Sequence, residues 1–116
     1  MASKSVCIIG LGYVGLPLAC LCARNGFEVF GFDINSSAVE KINKGVSPID
    51  DENLTKRVKE LKGKILASTD ESIVSKAEII IFCVPTPVDE KKLPDFNPLI
   101  KACEAAERNL QKNSLI

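Results

Sequence analysis

The chain has 116 residues, of which 46% are apolar, enough for one domain with a real core and too few for a second. Lys plus Arg and Asp plus Glu both number 15, so no basic field exists to draw in nucleic acid or an anionic membrane. No apolar run approaches the roughly 20 residues needed to span a bilayer, and the Met1-Ala2-Ser3-Lys4 opening lacks a secretory apolar segment, so a cytoplasmic location is expected.

Residues 6–9 form a short β-branched run ending on glycine, which predicts a buried parallel strand feeding a turn. From 14 to 24 the apolar residues Val14, Leu18, Leu21 and Cys22 recur at helical spacing, with Pro17 in the first turn and Asn25-Gly26 as the stop. Residues 28–32 read as a second strand ending at Asp33. Ser36 or Ser37 is expected to cap a second helix running through Val39 and Ile42 to Gly45.

Residues 50–61 are polar with Leu54, Val58 and Leu61 on one stripe, a surface helix ahead of a third strand at 64–67. Thr69 or Asp70 is placed to cap a short helix through Ile73 and Val74, and 78–84 is the strongest strand signal in the chain. Three prolines and four charges make 85–94 a loop at the end of that fourth strand. Asn97-Pro98 opens a last helix with Ile100, Cys103, Ala106 and Leu110 expected inward and Lys112-Asn113 at its end; Ser114-Leu115-Ile116 reads as the start of a further strand, cut short.

Alternating strands and helices imply an α/β fold, a Rossmann-type doubly wound parallel sheet of order 3-2-1-4. The five cysteines show no C-x-x-C pairing and the chain has no histidine, so neither a metal site nor a disulfide is expected and the thiols are read as small buried hydrophobes.

Residues 10–15, GLGYVG, fit G-x-G-x-x-G between a predicted strand and a predicted helix. Gly10 would make the tight turn, Gly12 would let the backbone approach a pyrophosphate, and Gly15 would let the helix pack on the strand. The phosphates would meet the free N–H groups and positive end of that helix, with the amides of Tyr13 and Val14 pointing the same way. Such a run alone can serve packing only, but Asp33 follows Gly10 by 23 positions, near the spacing of about 20 expected for a carboxylate on the adenine ribose. That carboxylate favours NAD and repels the 2′-phosphate of NADP, and residues 34–37 offer no Arg to receive one. The structural alternative for Asp33 is a strand-end carboxylate.

With residues 10–17 (GLGYVGLP), Asp33, Ser47-Pro48-Ile49 and residues 83–87 (CVPTP) taken together, nearly the whole chain resembles the UDP-glucose/GDP-mannose dehydrogenase family. GLGYVGLPLA with VPTPVDE, followed by Pro94-Asp95, looks like the branch oxidising UDP-N-acetylhexosamines, UDP-ManNAc or UDP-GlcNAc. The resemblance implies oxidation of the sugar C6 alcohol to a carboxylate by two hydride transfers to NAD. It also implies a catalytic cysteine in family segments beyond residue 116, so that this chain is an NAD-binding Rossmann domain without the substrate domains of a homo-oligomeric enzyme. The cofactor residues carried over are Gly10, Gly12, Tyr13, Val14, Gly15, Asp33, Pro85 and Thr86. Thr86 is also the one candidate for an auxiliary catalytic role, hydrogen bonding a reacting water or hydroxyl, against the alternative of a threonine that fixes a proline-flanked loop. Where the family has Glu-Pro-Gly-Leu after Pro-Ile-x, this chain has Asp51-Glu52-Asn53-Leu54, so an acidic contact there is not carried over. Two other readings remain open at this level: another Rossmann dehydrogenase, such as a 3-hydroxyacid type, and an NAD-sensing regulatory module without catalysis.

Overall fold

A computed structural model describes residues 4–88, 90–112 and 114–116. β1 (Ser5–Ile9), β2 (Glu28–Phe32), β3 (Ile65–Ser68) and β4 (Ile79–Phe82) form one sheet of order β3-β2-β1-β4. Every pairing is parallel, with Cys7 opposite Phe30 on one side and Ile80 on the other. The helices are α1 (Gly15–Arg24), α2 (Ser36–Asn43), α3 (Glu52–Glu60) and α4 (Asn97–Asn109), and a 3₁₀ turn covers Glu71–Lys76. The expected doubly wound order is what the backbone adopts.

A central parallel strand is covered on both faces, so both of its side-chain rows must be apolar. In β1 all five residues are buried. Val6 and Ile8 face a core built with α1, α2 and α3, while Cys7 and Ile9 face a second core with the 3₁₀ turn and α4. Full burial of each such aliphatic side chain contributes about 1.5–3 kcal/mol, which holds the carboxyl ends of β1, β2 and β4 side by side. Beyond β4, Leu115 makes a parallel bridge to Ile79, with Ile80 N–H donating to the Leu115 carbonyl at 2.7 Å and Leu115 N–H to that of Glu78 at 2.8 Å. The short segment expected to begin a further strand lies where one would.

Two helix faces differ from expectation. In α1 the buried stripe is Leu16, Ala19, Cys20 and Ala23, while Val14 and Leu21 are exposed and Leu18 and Cys22 half-buried. In α4 the inward residues are Ala102, Ala105 and Ala106; Ile100 and Cys103 are exposed and Leu110 lies at the margin of exposure. Alanines form the buried face of α4 and, joined by Leu16 and Cys20, that of α1, while Val14, Leu21 and Ile100 point away from it. α4 also stops at Asn109 with Leu110 as its cap, short of Lys112, and Asn113 lies outside the described residues, as does Asp89 in the proline loop.

The caps differ too. Asn35, not Ser36 or Ser37, caps α2 by accepting from Ala38 N–H at 3.1 Å, and Asp70, one of the two residues expected, caps the 3₁₀ turn by accepting from Ser72 N–H at 3.0 Å. Cys103 is the exposed thiol, whereas Cys7 and Cys20 are buried and Cys22 and Cys83 half-buried, so only part of the expectation of buried cysteines holds.

Candidate functional site

The site is built from the carboxyl end of β1. Gly10 has φ +99, and a Cβ there would sit 2.6 Å from the carbonyl oxygen of Cys83, so both the turn and the neighbouring strand end require glycine. Its N–H donates to the Phe32 carbonyl at 2.8 Å, and Cys83 N–H donates to the Ile9 carbonyl at 2.7 Å, fastening the ends of β2 and β4 to the turn. Gly15 is buried, and a Cβ there would collide with the Gly10 carbonyl. Gly12 is the reverse case: a Cβ would meet nothing within 4 Å. The protein itself does not need glycine at 12, whereas a ligand lying on the turn would.

α1 starts at Gly15 with Val14 as its N-cap and no side-chain cap, so its first N–H groups have no side-chain acceptor. Free amides at the positive end of a helix suit an anion. Asp33 follows β2 and is half-buried; its Oδ2 accepts from Leu11 N–H at 2.8 Å and its Oδ1 from Asn35 N–H at 2.9 Å. The carboxylate therefore ties the glycine turn to the end of β2, and each oxygen keeps a lone pair for another donor.

These groups open on a cavity of about 780 Å³. Of the eight residues expected to contact the cofactor, Gly10, Gly12, Tyr13, Val14, Asp33 and Pro85 line it. Gly15 lies beneath the turn in a packing role, and Thr86 is exposed just past Pro85, outside the lining. The remaining wall was not foreseen: Ile34 after β2, Glu71 on the 3₁₀ turn, and Lys101, Ala105 and Arg108 along one face of α4. Their helical spacing of four and three was visible, but nothing in the sequence tied that face to the glycine turn.

Arg108 and Glu71 meet across this wall in a bidentate pair, Nε to Oε1 at 3.0 Å and Nη2 to Oε2 at 2.7 Å. The guanidinium hydrogen bonds hold the Glu71 carboxyl below its ordinary value, and the same bonds raise Arg108. Cys83 also lines the cavity, but burial pushes its thiol up, away from the thiolate a nucleophile needs. The arrangement can hold a long ligand that is anionic in the middle and hydroxylated next to it, and the features expected of an NAD site, an open Gly12, a free helix end and a strand-end carboxylate, are all present.

The family model described as "UDP-glucose/GDP-mannose dehydrogenase family, NAD binding domain" matches residues 4–116. A UDP-N-acetyl-D-glucosamine 6-dehydrogenase of Pseudomonas aeruginosa is 36% identical over 118 residues, covering 100% of this chain and 27% of that protein. Among solved structures, a UDP-D-ManNAc dehydrogenase from Pyrococcus horikoshii superposes with a TM-score of 0.89 at 32% identity over 97% of this chain and 27% of that one. A ternary complex of GDP-mannose dehydrogenase from Pseudomonas aeruginosa gives a TM-score of 0.83 at 30% identity, over 87% and 24%. The chain thus spans about a quarter of the length of the proteins it matches.

Proposed function

The chain belongs to the UDP-glucose/GDP-mannose dehydrogenase family as its NAD-binding domain, and on that premise we propose that it supplies the cofactor half of a nucleotide-sugar 6-dehydrogenase acting on a UDP-N-acetylhexosamine. The observation that carries this reading is the single cavity that gathers the open Gly12 turn, the uncapped end of α1, the Asp33 carboxylate and Pro85. The substrate class is supported by relatives that are named for UDP-N-acetyl-D-glucosamine and UDP-N-acetyl-D-mannosamine.

In this proposal the diphosphate of the cofactor lies on the amides around Gly12, Tyr13 and Val14, and Asp33 accepts from the adenine-ribose hydroxyls. Gly10 and Gly15 shape the turn, while Pro85 borders the nicotinamide end. When bound, NAD supplies the hydride acceptor for the sugar C6 carbon. Thr86 is exposed just past Pro85 and outside the cavity lining, and the auxiliary role we assign it is a hydrogen bond to the reacting hydroxyl or water once the substrate is in place. Overall, alcohol to carboxylate consumes one water and two NAD and releases protons, so the residues here bind and orient, and the main catalytic groups belong to the segment that carries the substrate.

The proposal extends to a homo-oligomeric cytoplasmic enzyme whose partner is the UDP-sugar. Among the described residues no helix is long and apolar enough to cross a membrane. A chimaera tests the function: this chain replaces the matching domain of the Pseudomonas aeruginosa UDP-N-acetyl-D-glucosamine 6-dehydrogenase, and NADH formation is followed by absorbance with UDP-GlcNAc and UDP-ManNAc. Turnover by the chimaera and none by the 116-residue chain is expected. A folded, NAD-binding chimaera that oxidises neither sugar contradicts the proposal.

A further inference from the structure

The sheet order fixes the direction in which a dinucleotide would lie. Residues 83–85 stand at the end of β4, the glycine turn at β1, and Asp33 and Ile34 at β2, while Glu71 follows the end of β3. With the diphosphate at Gly12 and a ribose at Asp33, the base of that nucleoside points to the β2–β3 side, where Ile34, Ala105, Glu71 and Arg108 line the cavity. Arg108 is engaged there by two parallel hydrogen bonds to both oxygens of Glu71, which fix the plane of the guanidinium and compensate its charge. Glu104 and Glu107 add negative charge around it. A guanidinium in that state is a poor receiver for a phosphate, but with 57% of the Arg108 side chain exposed its plane can stack on a π system, as arginine planes do on bases. Ala102 and Ala105 keep the adjoining wall low, and Ile34, 89% exposed, offers an apolar surface with little else to cover it.

We propose that Arg108, held flat by Glu71, is the platform on which the adenine base of the cofactor stacks. This makes Arg108 a binding residue and Glu71 its positioning residue, and it rests on the cofactor reading of the cavity. Calorimetry with NAD, ADP and nicotinamide mononucleotide tests it on the wild-type chain, Arg108→Ala, Arg108→Lys and Glu71→Gln, each checked for folding by circular dichroism. Arg108→Ala is expected to weaken NAD and ADP by about tenfold, the scale of a cation–π contact that is partly desolvated, and to leave nicotinamide mononucleotide unchanged. Arg108→Lys keeps the charge and a partner in Glu71 but not the plane, so it is expected to lose as much; should the Ala variant not fold, the Lys variant decides. Glu71→Gln is expected to fall between wild type and these. Folded variants that bind NAD and ADP like wild type, or a Lys variant that restores full affinity, overturn the stacking platform alone. A wild-type chain that binds neither NAD nor ADP overturns the cofactor reading together with it.

Discussion

Replacing Asp33 with alanine removes one carboxylate from two tasks at once. In the protein alone it takes away the acceptors of Leu11 N–H, 2.8 Å, and Asn35 N–H, 2.9 Å. Hydrogen bonds to a charged group are worth about 1.5–3 kcal/mol each, but Asp33 is only half-buried and water can take over part of both, so a loss of about 1–2 kcal/mol in unfolding free energy is expected. In the complex the ribose hydroxyls also lose their acceptor, costing about 1–3 kcal/mol of NAD affinity, or about 5- to 150-fold. Asp33→Asn keeps the shape but loses the charge and turns one oxygen into an N–H donor, which opposes either the Leu11 or the Asn35 amide. Both variants should bring NAD and NADP affinities closer, because the charge that repels a 2′-phosphate is gone. Calorimetry with both nucleotides, urea denaturation, and hydrogen exchange at the Leu11 amide separate the two tasks. A folded Asp33→Ala variant with wild-type NAD affinity and wild-type NAD over NADP preference would refute the assignment. Unchanged exchange at Leu11 would refute the tether.

The other predictions concern neighbouring features. Gly12→Val should fold normally and lose NAD binding, since a Cβ there meets nothing within 4 Å and the position opens on the cavity, while Gly15→Ala should lower stability sharply by striking the Gly10 carbonyl; calorimetry and thermal unfolding check both, and the reverse pattern would undo the roles given to the two glycines. With a thiol reagent at mildly alkaline pH, Cys103 should react well ahead of the rest, because burial pushes Cys7 up to about 12 and raises Cys20, Cys22 and Cys83; rapid modification of several thiols in the native chain would contradict the packing. The Arg108 hydrogen bonds lower Glu71, and the Ser72 amide lowers Asp70. Their contributions to stability are therefore present above the ordinary carboxylate range and lost as the pH falls through the lowered native values. Carboxyl titration by NMR should place both midpoints below the ordinary range, and Arg108→Ala should return that of Glu71 but not that of Asp70.

The strands were legible because β-branched runs bounded by glycine and acidic residues admit few other readings, and β2 has the bounds its sequence suggests. β4 ends at Phe82, short of its apolar run; Cys83 still donates to the Ile9 carbonyl, and Cys83 and Val84 line the cavity. The helix faces follow phase more than size: the seam of α1 runs through Leu16, Ala19, Cys20 and Ala23 and that of α4 through Ala102, Ala105 and Ala106, while Val14, Leu21 and Ile100 lie outside despite their size. At the site, the glycines and Asp33 were legible because each answers a local need of the backbone or the ligand. The Asp33 tie to Leu11 and the pairing of Glu71 with Arg108, 37 residues away, depend on how the sheet brings distant strand ends together, and no local pattern encodes that.

The central claim, that one cavity at the carboxyl end of the sheet holds NAD, is tested most directly by titrating the isotopically labelled chain with NAD and following backbone amide shifts. Saturable shifts are predicted at Gly10, Leu11, Gly12, Tyr13, Val14, Asp33, Ile34 and Val84 and along the Lys101, Ala105 and Arg108 face of α4, with the exposed side of α3 unmoved. A folded chain that shows no saturable shifts, or shifts confined to residues away from this cavity, would contradict the claim.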